Sequence, residues 1–179
     1  SFGEMASLAS EAEPFRSLID PNDSVFRAAG DMPARIRSYC ENTGQVIPQS
    51  PAQIIRCIYE SLALSYSEAW AKLERFSPVE LTRLNIVGGG CQDALLNQLT
   101  ADAIGKPVWV GPVEATGVGN IISQMISNAE VASLSAGRQL IAKSFPGECI
   151  DPVDTFLWDD ARSRFRAMVS GHSLSLSTH

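Results

Sequence analysis

Three consecutive glycines, Gly88-Gly89-Gly90, follow the short apolar run Leu84 to Val87 and precede Cys91, Gln92 and Asp93. Residue types in this order suit the binding of a nucleotide. Glycines leave the backbone bare, so a flat ring or a phosphate can lie directly on it. A helix that opens just after the turn points its free amides, and a partial positive charge, toward an anion. Gln92 and Asp93, in the first turn of that helix, offer polar side chains to a base or a ribose. A plain structural duty fits the same residues: a tight strand-to-helix turn, with Asp93 as a helix-end charge. The pattern by itself supports both readings.

Other site chemistries fit less well. A dinucleotide fold needs G-x-G-x-x-G, and a start at Gly88 puts Asp93 where the third glycine belongs, as Gly117-Val118-Gly119 puts Ile122 there. No G-x-x-x-x-G-K-[ST] phosphate loop occurs. The stretch Glu114 to Asn120 is a second candidate, either the lip of a nucleotide cleft or a tightly packed helix start. In the latter, which is the expected reading, Thr116 caps the helix and Gly117 and Gly119 allow close packing. The two histidines, His172 and His179, leave a Ser-His-Asp triad almost nothing to draw on. The cysteines, Cys40, Cys57, Cys91 and Cys149, form no C-x-x-C pair, so no metal site is expected and a cytoplasmic protein with reduced thiols is.

The elements that must position the glycine turn are legible around it. Leu84 to Val87 reads as a buried strand, Gln92 to Ile104 as a helix with Leu95, Leu96, Leu99 and Ala103 inward, and Val108 to Val110 as a second strand. Gly105 is placed as the left-handed cap of that helix, with Pro107 stopping any continuation. Upstream, Ser50-Pro51-Ala52-Gln53 is a capping box that opens a long helix to about Phe76. Ile55, Ile58, Leu62, Ala69 and Leu73 share one face of it, with Tyr66 and Trp70 on the flank. Further helices are expected over Ser1 to Ala12, Pro33 to Cys40, Thr116 to Ser127, Ser133 to Phe145 and Asp154 to Val169, the last with Leu157, Ala161, Phe165 and Met168 facing the core. Phe15 to Pro33 reads as an ordered loop.

This is an α/β arrangement, helix-rich with a few short parallel strands. Two strands do not make a stable parallel sheet. The missing neighbours are expected upstream of Ser1 or from another chain, and the opening Ser1-Phe2-Gly3-Glu4-Met5 reads as the middle of a protein. Residues 1–170 form one incomplete domain and 171–179 a polar tail. The 179 residues, 45% hydrophobic and 19% charged, supply a core. A net charge of -6 without a basic stripe argues against nucleic acid, and no apolar run approaches a membrane span.

The segment Ile86 to Val108 resembles the adenosine motif of the carbohydrate kinases related to glycerol kinase and xylulokinase, and Gly111 to Asn120 resembles the segment after it. Upstream, Phe15 to Pro21, Gly30 to Pro33, Tyr39-Cys40, Thr43 to Gln45 with Pro48, and Arg56 to Leu64 are similar to rhamnulokinases, so that the likeness runs from about Phe2 to Phe165. The resemblance implies part of an actin-like ATPase fold, built of two ribonuclease-H-like domains with a cleft between them. It implies in-line transfer of the γ-phosphoryl group of ATP, with Mg²⁺ on the phosphates, to a ketose hydroxyl; in rhamnulokinases the acceptor is L-rhamnulose. Gly89 is the first nucleotide contact it implies, with Gly88, Gly90, Gln92 and Asp93 beside it. The family's catalytic Asp and sugar contacts precede the matched region, so this chain carries no catalytic residue and is expected to be inactive without the missing N-terminal domain. Asp20, Asp31, Asp159 and Asp160 are read as surface or capping residues. The resemblance also raises a disulfide between Cys40 and Cys57 as an open question. Two alternatives remain: a non-catalytic helical interaction module, or a kinase for another sugar such as L-fuculose or xylulose.

Overall fold

The long helix begins where its capping box lies. Ser50 Oγ accepts a hydrogen bond from the Gln53 amide at 3.2 Å, and Gln53 Oε1 accepts from the Ser50 amide at 3.3 Å. Pro51 takes the first helical position, where its missing N–H costs nothing. In this computed structural model, which describes residues 2–176, the chain forms α1 (Phe2–Ser10), α2 (Met32–Asn42), α3 (Pro51–Phe76), β1 (Leu84–Ile86), α4 (Ala94–Ile104), β2 (Val108–Val110), α5 (Ala115–Ser127), α6 (Leu134–Ser144), β3 (Glu148–Ile150) and α7 (Leu157–Leu176).

The sheet order is β1-β2-β3. β1 and β2 run parallel, with Leu84 opposite Val108, as a strand-helix-strand crossover through α4 requires. β3 returns antiparallel to β2, with Ile150 opposite Val108. The sheet is therefore mixed, where parallel strands alone were expected. Glu148-Cys149-Ile150 is too short to show a period of its own, and its strand geometry comes from pairing with β2.

α3 is the central helix, packed against α1, α4 and α7. One core cluster joins Ala9, Leu18, Tyr59, Ala63, Leu64, Leu99, Ala103, Trp158, Ala161 and Phe165. The inward face of α3 is not the one its apolar residues suggest. Ile54, Cys57, Glu60, Ser61, Leu64, Ser67 and Trp70 are buried, while Ala69 and Leu73 are exposed. Buried Glu60, Ser61 and Ser67 turn the true core face away from the apolar stripe. In α7, Trp158 is buried where Leu157 was expected, and the helix continues to Leu176 through most of the expected polar tail. Residues 177–179 of that tail lie outside the described residues.

Those polar groups hold the loop between α1 and α2 in order. Ser61 Oγ accepts from the Ile19 amide at 2.9 Å, and the Gln45 side chain both accepts from the Leu18 amide and donates to the Leu18 carbonyl, each at 2.8 Å. Glu60 takes the Phe15 amide at 2.7 Å and Arg56 Nε at 2.6 Å. Phe15 sits at φ 54°, a left-handed conformation uncommon for a side-chain-bearing residue, and its ring meets Trp158 edge-on at 4.8 Å. Burial raises the Glu60 carboxyl above its ordinary value, and the Arg56 guanidinium pulls the other way.

Candidate nucleotide site

β1 and β2 end side by side, and their exits are stitched together. The Gly111 amide donates to the Ile86 carbonyl at 2.8 Å, and the Gly88 amide donates to the Pro112 carbonyl at 3.1 Å. Gly88 has φ +80°, which a side chain rarely adopts, so glycine is required there to turn the chain out of the strand. Gly89 to Gln92 then make a single 3₁₀ turn. A side chain built on Gly89 would meet nothing within 4 Å, and one on Gly90 only the Ile86 Cγ2 at 3.9 Å. Gly89 and Gly90 are exposed. The turn thus shows bare backbone to solvent.

Asp93 lies one step earlier in the helix than its expected place in the first turn. It caps α4, with Oδ1 accepting from the Leu96 amide at 3.1 Å. Its other oxygen accepts from the Tyr59 hydroxyl at 2.7 Å, and the residue is buried. Both carboxylate oxygens are therefore engaged inside the protein. Gln92 closes the 3₁₀ turn with an exposed side chain. Gly89, Gly90 and Gln92 are thus exposed along the turn, Gly88 is half-buried, and Asp93 is buried.

Two residues under the turn escaped the sequence reading. Tyr59 reaches Asp93 from α3, and buried Asn97 donates its side-chain amide to the Cys91 carbonyl at 3.1 Å. Asn97 was findable, since it stands one helical turn after Asp93 on the same face. Tyr59 was not, because nothing local marks a tyrosine on a buried helix face as a partner for a residue far along the chain.

The second candidate stretch corrects its expectation. α5 starts at Ala115 after Glu114, so Thr116 lies inside the helix and no side chain caps it. A Cβ at Gly117 or Gly119 would meet nothing within 4 Å, so neither glycine serves close packing. Other sites read from the sequence are local. Asp31 caps α2 through the Ala34 amide at 3.0 Å, Asp20 accepts from the Asn22 amide at 2.9 Å, and Asp159 and Asp160 pair with Arg162 and Arg164. Cys40 and Cys57 are free, buried thiols in one core cluster, and the neighbouring Cys40, with burial, raises the Cys57 thiol. Among the described residues no cluster of three or more His, Cys, Asp or Glu is placed to hold a metal ion. No helix of the described residues is long and apolar enough to cross a membrane.

A strand, a bare turn and a capped helix, set in a helix-rich domain, are the features of a known class. The C-terminal domain of the FGGY family of carbohydrate kinases matches residues 1–128, and the chain belongs to this family. Its curated relatives include the rhamnulokinase of Bacteroides thetaiotaomicron, 44% identical over 169 residues, covering 94% of this chain and 35% of that protein. The rhamnulokinase of Enterococcus faecalis is 39% identical over 178 residues, covering 97% of this chain and 35% of the relative. The chain therefore spans about a third of the length of these relatives. The xylulose kinase from Rhodospirillum rubrum superposes with a TM-score of 0.66 at 18% identity, covering 94% of this chain and 33% of that one. Plasmodium falciparum glycerol kinase with ADP gives 0.64 at 14% identity, covering 97% and 33%. The fold is thus that of the FGGY sugar kinases, part of an actin-like ATPase fold.

Proposed function

We propose that this chain is the nucleotide-side portion of a cytoplasmic kinase that transfers the γ-phosphoryl group of ATP to L-rhamnulose, giving L-rhamnulose 1-phosphate. The observation that carries the reading is the open backbone of Gly89 and Gly90 at the end of β1, in a chain of a carbohydrate kinase family. The acceptor rests on the relatives, named rhamnulokinase at 39% and 44% identity.

The geometry supports a division of labour. Gly89 lets the nucleotide lie on the main chain, Gly88 supplies the left-handed bend that turns that main chain outward, and Gly90 keeps the surface flat. Gln92, exposed beside them, offers an amide to the base or ribose. Asp93 acts from below, holding turn and helix together. ATP would supply the transferable phosphoryl group and Mg²⁺ would offset the charge of its phosphates, and the protein's part is mainly positioning and electrostatics. The general base and the sugar contacts belong, in this reading, to the portion of the full-length protein outside this chain.

The test is direct. The full-length protein should turn over ATP and L-rhamnulose with Mg²⁺, preferring it to L-fuculose and xylulose, and this chain alone should not. A Cβ at Gly89 would meet no protein atom within 4 Å and the residue is exposed, so the fold should tolerate Gly89→Trp. ADP affinity should fall about tenfold or more, which is ~1.4 kcal/mol. Undiminished ADP binding by that variant would overturn the nucleotide reading. Absence of nucleotide binding in the full-length protein would favour a non-catalytic module instead.

A further inference from the structure

Two buried side chains reach the glycine turn from its protein side, and neither is part of the surface a nucleotide would touch. Asn97, on α4, holds the Cys91 carbonyl. Tyr59 comes from α3, 34 residues before Asp93, and donates its hydroxyl to the Asp93 carboxylate at 2.7 Å. Asp93 is the joint of the assembly. Its amide closes the 3₁₀ turn on the Gly90 carbonyl at 3.4 Å, and its carboxylate starts α4 at Leu96. Whatever places the Asp93 carboxylate therefore places the end of the turn and the start of the helix together.

A buried carboxylate oxygen without a donor is costly, so the Tyr59 hydroxyl and Asp93 hold each other in place. Burial first, and then Asp93, raise the Tyr59 phenol above its ordinary value, which keeps it a donor at working pH. Local bonds within the turn set its shape. The bond from Tyr59 ties that shape to the helical core.

We propose that Tyr59 is a positioning residue of the nucleotide site, fixing through Asp93 the height and tilt of the Gly89–Gly90 backbone. This rests on the nucleotide reading above. Tyr59→Phe removes the hydroxyl alone and keeps the buried ring. In the full-length protein it should raise the KM for ATP and weaken ADP binding about tenfold, the order of one hydrogen bond to a charged group, with the KM for the sugar unchanged. Asp93→Asn keeps an acceptor for the Leu96 amide but has one oxygen in place of two. It should show a similar nucleotide defect, and the double variant should add little to it.

Ser67→Ala is the control, because the Ser67 hydroxyl links the same helix pair at the far end of α4, donating to the Ala103 carbonyl at 2.9 Å. It should lower thermal stability without changing the KM for ATP. The proposal fails if Tyr59→Phe leaves the KM for ATP unchanged. It fails equally if Ser67→Ala raises that KM by the same factor, since general loosening would then account for both. Gly89→Trp separates the two readings. If it weakens ADP binding while Tyr59→Phe does not, the positioning role alone is wrong. If it leaves ADP binding intact, the nucleotide reading is wrong and the positioning role falls with it.

Discussion

The helices around α3 and the pair α5–α6 are built from similar amphipathic sequences and reach opposite ends. In the α3 group, Leu64 is 0% exposed and Trp158 2%. In the pair, Ile121 and Leu134 are more than half exposed, and Leu140 and Phe145 are exposed as well. α5 and α6 pack mainly on each other, around Ile122, with Gly137 pressed against the Ile122 side chain. α3 has neighbours on several sides, and they are fastened to it by polar bonds as well as by apolar contact. Ser67 and Arg162 both donate to the Ala103 carbonyl, capping the end of α4. Arg166 pairs with Glu68 at 2.7 Å. An apolar stripe makes a helix amphipathic, but burial needs a partner surface within reach, and polar cross-links decide which face turns inward.

Three measurements can break or sharpen this contrast. The largest effect belongs to Trp158→Ala, which empties a fully packed position beside Phe15. It should cost about 3–5 kcal/mol in denaturant unfolding, and a loss below 1 kcal/mol would show that the α3 group is loosely packed after all.

The middle effect concerns Glu60. Its carboxyl is raised in the folded chain, so the folded state takes up this proton more readily than the unfolded one. The resulting stability is present below the ordinary value of 4.5 and is lost as pH climbs through the raised one. Glu60→Gln should remove that slope, so that the gap between variant and parent changes only within this window. A gap that stays constant across the window would show that Glu60 does not titrate differently on folding.

The smallest effect is that of Ile121→Ser on the exposed face of α5, expected within about 0.5 kcal/mol. A cost of 2 kcal/mol or more, well beyond what an exposed site carries, would mean that this face is covered in the folded chain.

The legible parts of the molecule were those whose signals are local. Ser50 and Gln53 are three residues apart, and a capping box needs nothing further. Gly105 announces a left-handed helix end because few other residues accept φ 65°. The bare turn at Gly88 to Gly90 was visible for the same reason. The faces of the helices were less legible. Glu60, Ser61 and Ser67 look like surface residues in sequence and are buried, because Arg56 one turn away on the same helix, and the Phe15 and Ile19 amides and the Ala103 carbonyl from other segments, satisfy them. Thr116 looked like a cap, yet α5 begins before it.

By itself the chain's sequence determined where α3 begins, where α4 ends and where the main chain is left uncovered, since these follow from torsions and hydrogen bonds within a few residues. Tertiary structure alone decided that Glu148 to Ile150 is a strand, that Asp93 faces inward, and that Tyr59 is its partner. Each of those depends on a group brought from a distant part of the chain, and no residue carries a local mark of the partner that folding will bring to it.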